Sequence, residues 1–357
     1  MKTSQNTLRA LGAITLIAAL TACGGGGGSP APAPIVVDPV PAPAPIVVVA
    51  PAGNVQTWVG APTYAANSLA ASAFSALNTA RLGAGAGVLA QSAQTDVAAS
   101  AHAAYLTTNL LIVGITHNED PGKPDFYAAT LSDRVAKAGY SASFSMEVMG
   151  GTSGGPGSGC ALGLLNTVYH GVGLLTHAAA VGIGFGSDGL GIPMCVINPV
   201  APSSLPYGQV PAAGSYIAYP YSGQTNVMET FYAGYELPRP PIALFPNLTA
   251  GTPIIVGVRN AEFVNNEANG KLAVTVTGFA LKDAAGNLVP SAILSNTAIT
   301  AGAGVTLNPD TQLLPGFVVL VPLSPLAKGT AYTASFGATL SSGGQPVSKS
   351  WSFTTNP

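Results

Sequence analysis

Four histidines and one glutamate are the side chains of this sequence best suited to proton transfer or metal binding. Glu147 stands in the apolar segment 144–148, where a desolvated carboxylate needs a counter-charge or a metal. Two imidazoles supply such a partner, and two histidines with a carboxylate can also hold a divalent metal such as zinc, with one position open for water. Any single histidine can instead be a hydrogen-bonded structural side chain. The candidate imidazoles are His102, His117, His170 and His177.

A cluster of acidic residues follows the second of these histidines. Glu119, Asp120 and Asp125 lie close enough to His117 in the sequence to extend a site there. The run 118–122, Asn-Glu-Asp-Pro-Gly, is also typical of a polar turn, which is the interpretation we favour.

Helices and strands must bring these side chains together. Apolar positions at helical spacing predict helices, and alternating or β-branched segments predict antiparallel strands. The predicted helices cover residues 67–81, 89–110, 130–138 and 161–170. The predicted strands cover residues 141–148, 180–186 and 192–197. Because no βαβ spacing links these elements, we predict an α+β fold.

The helical pattern ends near Pro199. Residues 201–250 are rich in proline and tyrosine and predict an extended connector. From 251 to 357, short strands separated by Gly and Asn turns predict an all-β sandwich. At about 100 to 200 residues per domain, we expect two folded domains, 55–200 and 251–357.

The first of these domains resembles the CAP superfamily (SCP/PR-1-like proteins) in a series of short motifs. The order and spacing of the motifs over about 110 residues carry the resemblance. The motifs are Leu77–Arg81, Thr116–His117, Asp133–Tyr140, Glu147, His170 and Val181–Phe185.

This resemblance implies a CAP-type α-β-α sandwich with a cleft lined by His117, Glu147 and His170. Plant and animal relatives often carry a second glutamate before the second histidine. This chain has no acidic residue between Glu147 and His170. The resemblance therefore implies a site of three residues. We expect His102 to be a buried structural side chain and assign no role to His177.

The C-terminal block resembles bacterial Ig-like modules of surface proteins. Its aromatic residues are expected to lie in the core of a β-sandwich, and we assign the block no chemistry. The motifs that carry this resemblance are Pro322–Leu326, Gly329–Thr333 and Trp351–Thr355.

The N-terminal segment is typical of an exported lipoprotein. Residues 1–22 have a basic start and a short apolar run, as in a signal peptide, and the ending Leu-Thr-Ala before Cys23 resembles a bacterial lipobox. Residues 23–54 contain five consecutive glycines and the octapeptide PAPAPIVV twice, which predicts a tether. We therefore expect Cys23 to be lipidated and the protein to be anchored to a membrane of the cell envelope.

Composition and cysteine usage limit the remaining functions. Charged residues make up 7% of the chain and the net charge is −2, which disfavours nucleic-acid binding. In an oxidising compartment, Cys160 and Cys195 are expected to form a disulfide rather than a metal site.

Three functions agree with these features, one of them that of a structural envelope protein whose site has lost its activity. The first is binding of a lipid, glycan or peptide of the envelope in the His/Glu cleft. The alternative is a hydrolase in which His117 and His170, with or without a metal, activate water and Glu147 acts as base.

Overall fold

The computed structural model describes residues 53–151, 157–187, 193–340 and 346–357, which belong to one compact unit. The predicted signal peptide 1–22, the lipidation site Cys23 and the tether as far as residue 52 lie outside the described residues. Within the described part, no helix is long and apolar enough to cross a membrane.

Six helices and sixteen strands are described, which agrees with the predicted α+β class. The helices are α1 (Leu69–Ala84), α2 (Ala93–Val113), α3 (Leu131–Lys137), α4 (Gly157–Leu165), α5 (Tyr169–Leu174) and α6 (Ala261–Ala268). The strands of the first half are β1 (Ala90–Gln91), β2 (Ala142–Ser145), β3 (Val148–Gly151), β4 (Ala180–Ser187) and β5 (Pro193–Pro202). The middle segment adds β6 (Ile217–Tyr219), β7 (Phe231–Tyr232) and β8 (Thr249–Ala250), with short 3-10 helices at Ile242–Leu244 and Pro246–Leu248. The last part contains β9 (Ile254–Gly257), β10 (Val274–Lys282), β11 (Ser291–Ser295), β12 (Ile299–Ala301), β13 (Asn308–Pro309), β14 (Phe317–Pro322), β15 (Ala331–Thr339) and β16 (Pro346–Thr354).

Side-chain caps set where the first three helices begin. Ser68 accepts a hydrogen bond from the backbone N–H of Ala71 at the start of α1, and Ser92 does the same for Thr95 in α2. Thr130 caps α3 by accepting from the N–H of Asp133. Each cap satisfies one of the backbone donors that have no partner inside the first helical turn.

The first sheet has the order β1-β4-β5-β2, and β3 also pairs with β5. Helix α2 packs on one face of this sheet, while α1, α4 and α5 contribute to the core on the other. Alternate residues of β4 that face α2 are glycines, and a Cβ on any of them would clash with the helix backbone. The absence of side chains lets α2 lie unusually close to the sheet. The three contacts are Gly182 on Thr95, Gly184 on Ala99 and Gly186 on Ala103.

A disulfide joins the second helical layer to the sheet. Cys160 of α4 and Cys195 of β5 are bonded, with their Cα atoms 6.4 Å apart. The predicted disulfide is confirmed, and it ties α4 to the centre of the sheet.

The second half contains two packed sheets. One has the order β12-β10-β15-β16, and the other has the order β13-β11-β14-β9-β6. All residues of β9 and β14 are buried. The reason is that Val256 and Leu320 face the partner sheet, whereas Ile255 and Val319 belong to the same apolar core as α1 and α4. This sheet, which contains β9 and β14 and is called the five-stranded sheet below, is therefore covered on both faces.

The segment 201–250 differs from the extended connector that its composition predicts. Strand β6 joins the five-stranded sheet by pairing with β9, with Ile217 opposite Gly257. The indole N–H of Trp351 donates to the carbonyl of Pro220 at 2.7 Å. Tyr219 and Pro220 are buried here, and the backbone N–H groups of Gly223 and Val227 donate to carbonyls of β16.

The helix predicted over residues 161–170 is two helices, α4 and α5. The break coincides with a contact from far along the chain. The carboxylate of Glu236 accepts hydrogen bonds from the backbone N–H groups of Val168, Tyr169 and His170. In a continuous helix these N–H groups would donate to backbone carbonyls of the preceding turn. Here the carboxylate of Glu236 replaces those carbonyls as their acceptor.

Candidate functional site

Glu147 lies between β2 and β3, buried beneath His117. The Nδ1 atom of His117 is 3.0 Å from Oε1 of Glu147. Arg134, on α3, places Nη2 at 2.9 Å from both oxygens of the same carboxylate. The same Nη2 also donates to the carbonyl of His117 at 3.0 Å. Arg134 therefore fixes both the carboxylate and the backbone of the histidine above it.

A second buried pair, His102 with Glu119, adjoins the first. Nδ1 of His102 is 2.9 Å from Oε1 of Glu119, and Nε2 is 2.9 Å from the carbonyl oxygen of Thr116. Both ring nitrogens face oxygen acceptors, and an imidazolium satisfies both by donating twice. The other oxygen of Glu119 accepts from the N–H groups of Tyr127 and Ala128.

The interpretation of Glu119 as part of a plain polar turn is therefore corrected. Asp120 does accept from the N–H of Gly122 in a local turn and is exposed, but Glu119 next to it is buried. The burial of Glu119 follows from tertiary packing, because its partner His102 is on α2 and the charged end of Arg134 is 3.7 Å away. His102 is a satisfied core side chain, as expected, and it also belongs to this ionic cluster.

Opposite charges hold both carboxylates in their ionised form. Burial by itself raises the pKa of Glu147, but the hydrogen bond from His117 and the charges of His102 and Arg134 outweigh it and lower the pKa below the ordinary value. The pKa of Glu119 is likewise lowered, because burial is outweighed by hydrogen bonds from His102 and Tyr127 and by the charge of Arg134. We name these four buried side chains the ionic cluster: His102, Glu119, Arg134 and Glu147.

His170 has a different carboxylate partner, Glu236. Nδ1 of His170 is 3.3 Å from Oε1 of Glu236 and 3.3 Å from the hydroxyl of Thr167. Glu236 comes from the segment predicted to be a connector, and its side chain is fully buried against the start of α5. The sequence prediction missed it. The only available signal is that Glu236 is one of three charged residues in this Tyr- and Pro-rich stretch, with Glu229 and Arg239.

The structure places His117 and His170 on the wall of one cavity of about 690 Å³. Glu236 also lines this cavity, whereas Glu147 lies behind His117 and is not part of the wall. The side chain of His117 is 53% exposed and that of His170 is 14% exposed. We call this cavity the histidine cleft. Its apolar wall residues are Ile115, Met149, Leu164, Met228, Phe231, Leu237 and Pro238.

In both cleft histidines, Nδ1 has an oxygen partner: it bonds the carboxylate of Glu147 in His117 and the hydroxyl of Thr167 in His170. A ring that donates from Nδ1–H keeps the lone pair of Nε2 free to accept a proton or a hydrogen bond. His117 and His170 can therefore act on a molecule in the cleft as acceptors when neutral or as donors when charged.

The three residues predicted as zinc ligands do not fit a three-ligand centre. Arg134 and His117 already bond the oxygens of Glu147, and His170 is paired with Glu236 instead. Within the part of the chain that the structure describes, no group of three or more His, Cys, Asp or Glu side chains is arranged to hold a metal. We therefore derive no chemical step through a metal.

His177 takes no part in the site. Its ring packs on Phe144, with centroids 4.3 Å apart. Burial, together with the charges of Arg259 and Arg81, lowers its pKa to about 3, so it is a neutral core side chain at physiological pH.

Comparison with protein-family models, with curated proteins and with solved structures finds no match.

Proposed function

We propose that this protein binds a lipid, glycan or peptide of the bacterial cell envelope in the histidine cleft. The observation that carries the proposal is that His117 and His170, each backed by a carboxylate, line one cavity of about 690 Å³ with mostly apolar walls. Binding sites of this size commonly combine apolar walls with a few fixed polar groups that orient the ligand. No nucleic acid enters the proposal, because the chain has few charged residues.

The proposed fold family is the CAP superfamily, followed by an Ig-like sandwich. Two features support the first assignment. The sheet carries helices on both faces, and the Thr116–His117 and Glu147 motifs meet in a hydrogen bond. The Ig-like assignment is supported by two packed sheets in the last third of the chain, with Tyr332, Trp351 and Phe353 in their core.

The proposed location is the cell envelope, with the lipid anchor at Cys23. The disulfide between Cys160 and Cys195 supports an oxidising, exported compartment. Growth of an expressing bacterium with labelled palmitate tests the anchor. We expect label on the wild type and none on Cys23→Ala, and equal labelling of the two would overturn the assignment.

Titration of the purified protein with three defined probes tests the binding function. The probes are vesicles of a neutral phosphatidylcholine, an oligomer of N-acetylglucosamine and an uncharged tetrapeptide. We expect one class to bind, and the double variant His117→Ala/His170→Ala to weaken that binding at least tenfold. The matched control is Trp58→Ala, because Trp58 is an exposed aromatic residue outside the cleft wall. Equal binding by the double variant, or no binding of any class, would contradict the proposal.

Hydrolysis is the second candidate, favoured by one observation. Nδ1 of His117 is hydrogen-bonded to the carboxylate of Glu147, which is the arrangement that orients an imidazole as general base. In this reaction one imidazole would take a proton from water through Nε2, while Glu147 or Glu236 stabilises the imidazolium. This assigns the carboxylate a supporting role instead of the base role expected from the sequence, because Glu147 lies behind the imidazole. Turnover of whichever probe binds, lost in His117→Ala but with binding retained, would favour the hydrolase.

A further inference from the structure

A second cavity adjoins the histidine cleft and differs from it in having neither histidine nor carboxylate among its described lining residues. It has a volume of about 260 Å³ and shares Asn166 and Met228 with the wall of the cleft. Its lining contains hydroxyl and amide side chains and no charged residue. We call it the amide cavity. Its polar wall residues are Thr79, Asn166, Tyr219, Tyr221, Gln224, Thr225 and Asn226.

Asn166 stands at the junction with an unused acceptor. Its Nδ2 donates to the carbonyl of Thr230 at 2.7 Å, which fixes the plane of the amide. Its Oδ1 is buried and accepts no hydrogen bond from any group of the described chain. The residue is 8% exposed. A buried acceptor without a donor costs free energy. Because Oδ1 is almost completely covered, a ligand O–H or N–H reaches it only after a small shift of the cavity wall, and the bond then formed removes that cost.

Two exposed tyrosines lie on the wall of the histidine cleft. Tyr232 and Tyr235 are 58% and 88% exposed, and their ring centroids are 6.1 Å apart. Flat aromatic faces of this kind pack against the C–H face of a sugar ring, while the phenol hydroxyls remain free to hydrogen-bond.

We propose that the two cavities together bind a neutral oligosaccharide, with Asn166 accepting a hydrogen bond from a sugar at the junction. This inference deepens the proposed function and rests on it. Three features select the sugar: amide and hydroxyl groups in the amide cavity, tyrosine faces at the cleft and the lack of any lysine or arginine among the described residues of either wall. The missing cations disfavour phosphate- or carboxylate-rich ligands, which proteins usually hold with arginine or lysine.

Calorimetric titration of the full chain with oligomers of N-acetylglucosamine of one, two and four units tests the inference. We expect affinity to rise at least tenfold from the single sugar to the tetramer, because only the longer ligand occupies both cavities. Asn166→Leu is expected to weaken tetramer binding about tenfold by removing the acceptor.

Two further variants keep the test valid if Asn166→Leu folds poorly. Tyr235→Ala removes an exposed side chain, and Asn226→Gly preserves the backbone, because Asn226 has a φ of 56° that glycine adopts freely. Both are expected to weaken binding of the tetramer at least fivefold. Trp58→Ala is again the matched control.

Affinity that does not depend on oligomer length, or tetramer binding that is unchanged in these three variants, would overturn the sugar assignment. Binding of phosphatidylcholine vesicles or of the tetrapeptide in place of the sugars, still sensitive to His117→Ala/His170→Ala, would overturn this inference while sustaining the proposed function. Failure of all three probes would overturn both.

Discussion

At the scale of single residues, the ionic cluster shows how a buried carboxylate is retained at the base of a cleft. Glu147 has neighbours that compensate for its burial, and it in turn balances the charges of Arg134 and His102. Substitution of one member of such a cluster lowers the free energy of unfolding strongly, because its former partners remain buried without a counter-charge.

We expect Glu147→Gln to lower the free energy of unfolding by about 3 to 5 kcal/mol, because Arg134 then loses its only two-oxygen acceptor among the described residues. Urea denaturation followed by circular dichroism measures the change. Asp120→Asn is the matched control, since Asp120 is exposed and outside the cluster, and it should change stability by less than about 0.5 kcal/mol. A loss as small as that of the control would show that the cluster contributes little.

The depressed pKa values of Glu119 and Glu147 predict how stability depends on acid. A carboxylate whose pKa is lower in the folded state contributes stability above its unfolded pKa of about 4.3, and this contribution is lost as pH falls through the folded value. We expect the melting temperature to fall below about pH 4 to 5.

Melting curves of the wild type and Glu147→Gln between neutral pH and pH 3 isolate the contribution of this carboxylate. The difference between the two proteins should shrink as the pH falls, because the wild-type carboxylate also loses its charge. A difference that stays constant with pH would contradict the assigned direction of the shift.

At the scale of elements, the contact between β4 and α2 depends on the lack of side chains. Gly184 lies so close to α2 that a Cβ would be 2.3 Å from the backbone carbon of Ala99. Strand and helix must separate to admit a methyl group. Since α2 carries His102 and leads into the His117 loop, the spacing of this layer also positions the site.

Gly184→Ala is therefore expected to lower the free energy of unfolding by about 1 to 3 kcal/mol through overpacking. The matched control is Gly278→Ala on β10, another strand glycine, around which a Cβ would meet nothing within 4 Å. Thermal melts of the two variants give the comparison. If both variants melt at the same temperature as the wild type, the layer is more adaptable than the close contact implies.

At the scale of the whole molecule, the helical part and the β-part share one apolar core. Ile255, Phe317 and Val319 of the five-stranded sheet lie in the same core cluster as Leu77 and Leu165 of the helices. The predicted domain boundaries at residues 200 and 250 therefore fall inside a region of continuous packing.

We expect calorimetry of the full chain to give a single unfolding transition, with equal calorimetric and van't Hoff enthalpies, because the shared core couples both parts. A fragment ending at residue 200 should fail to show a cooperative transition, since it would expose the apolar face that the five-stranded sheet covers. Two separate transitions in the full chain would instead support independent domains.

The sequence by itself determined the features that depend on local patterns. Apolar spacing located α1, α2 and α3 to within a few residues, and the pairing of two cysteines followed from their number. The resemblance to the CAP superfamily grouped His117 and His170 with Glu147; His117 does bond Glu147, whereas the carboxylate beside His170 is Glu236.

Only the tertiary structure decided which partners each charged group has. Glu119, Arg134 and Glu236 are ordinary polar residues in the sequence, and their roles arise from contacts between elements far apart in the chain. The apolar runs of β9 and β14 are compatible with more than one strand environment, and only packing on both faces distinguishes them. The physical reason is that caps and periodicity report on neighbours in sequence, whereas burial of a charge depends on neighbours in space.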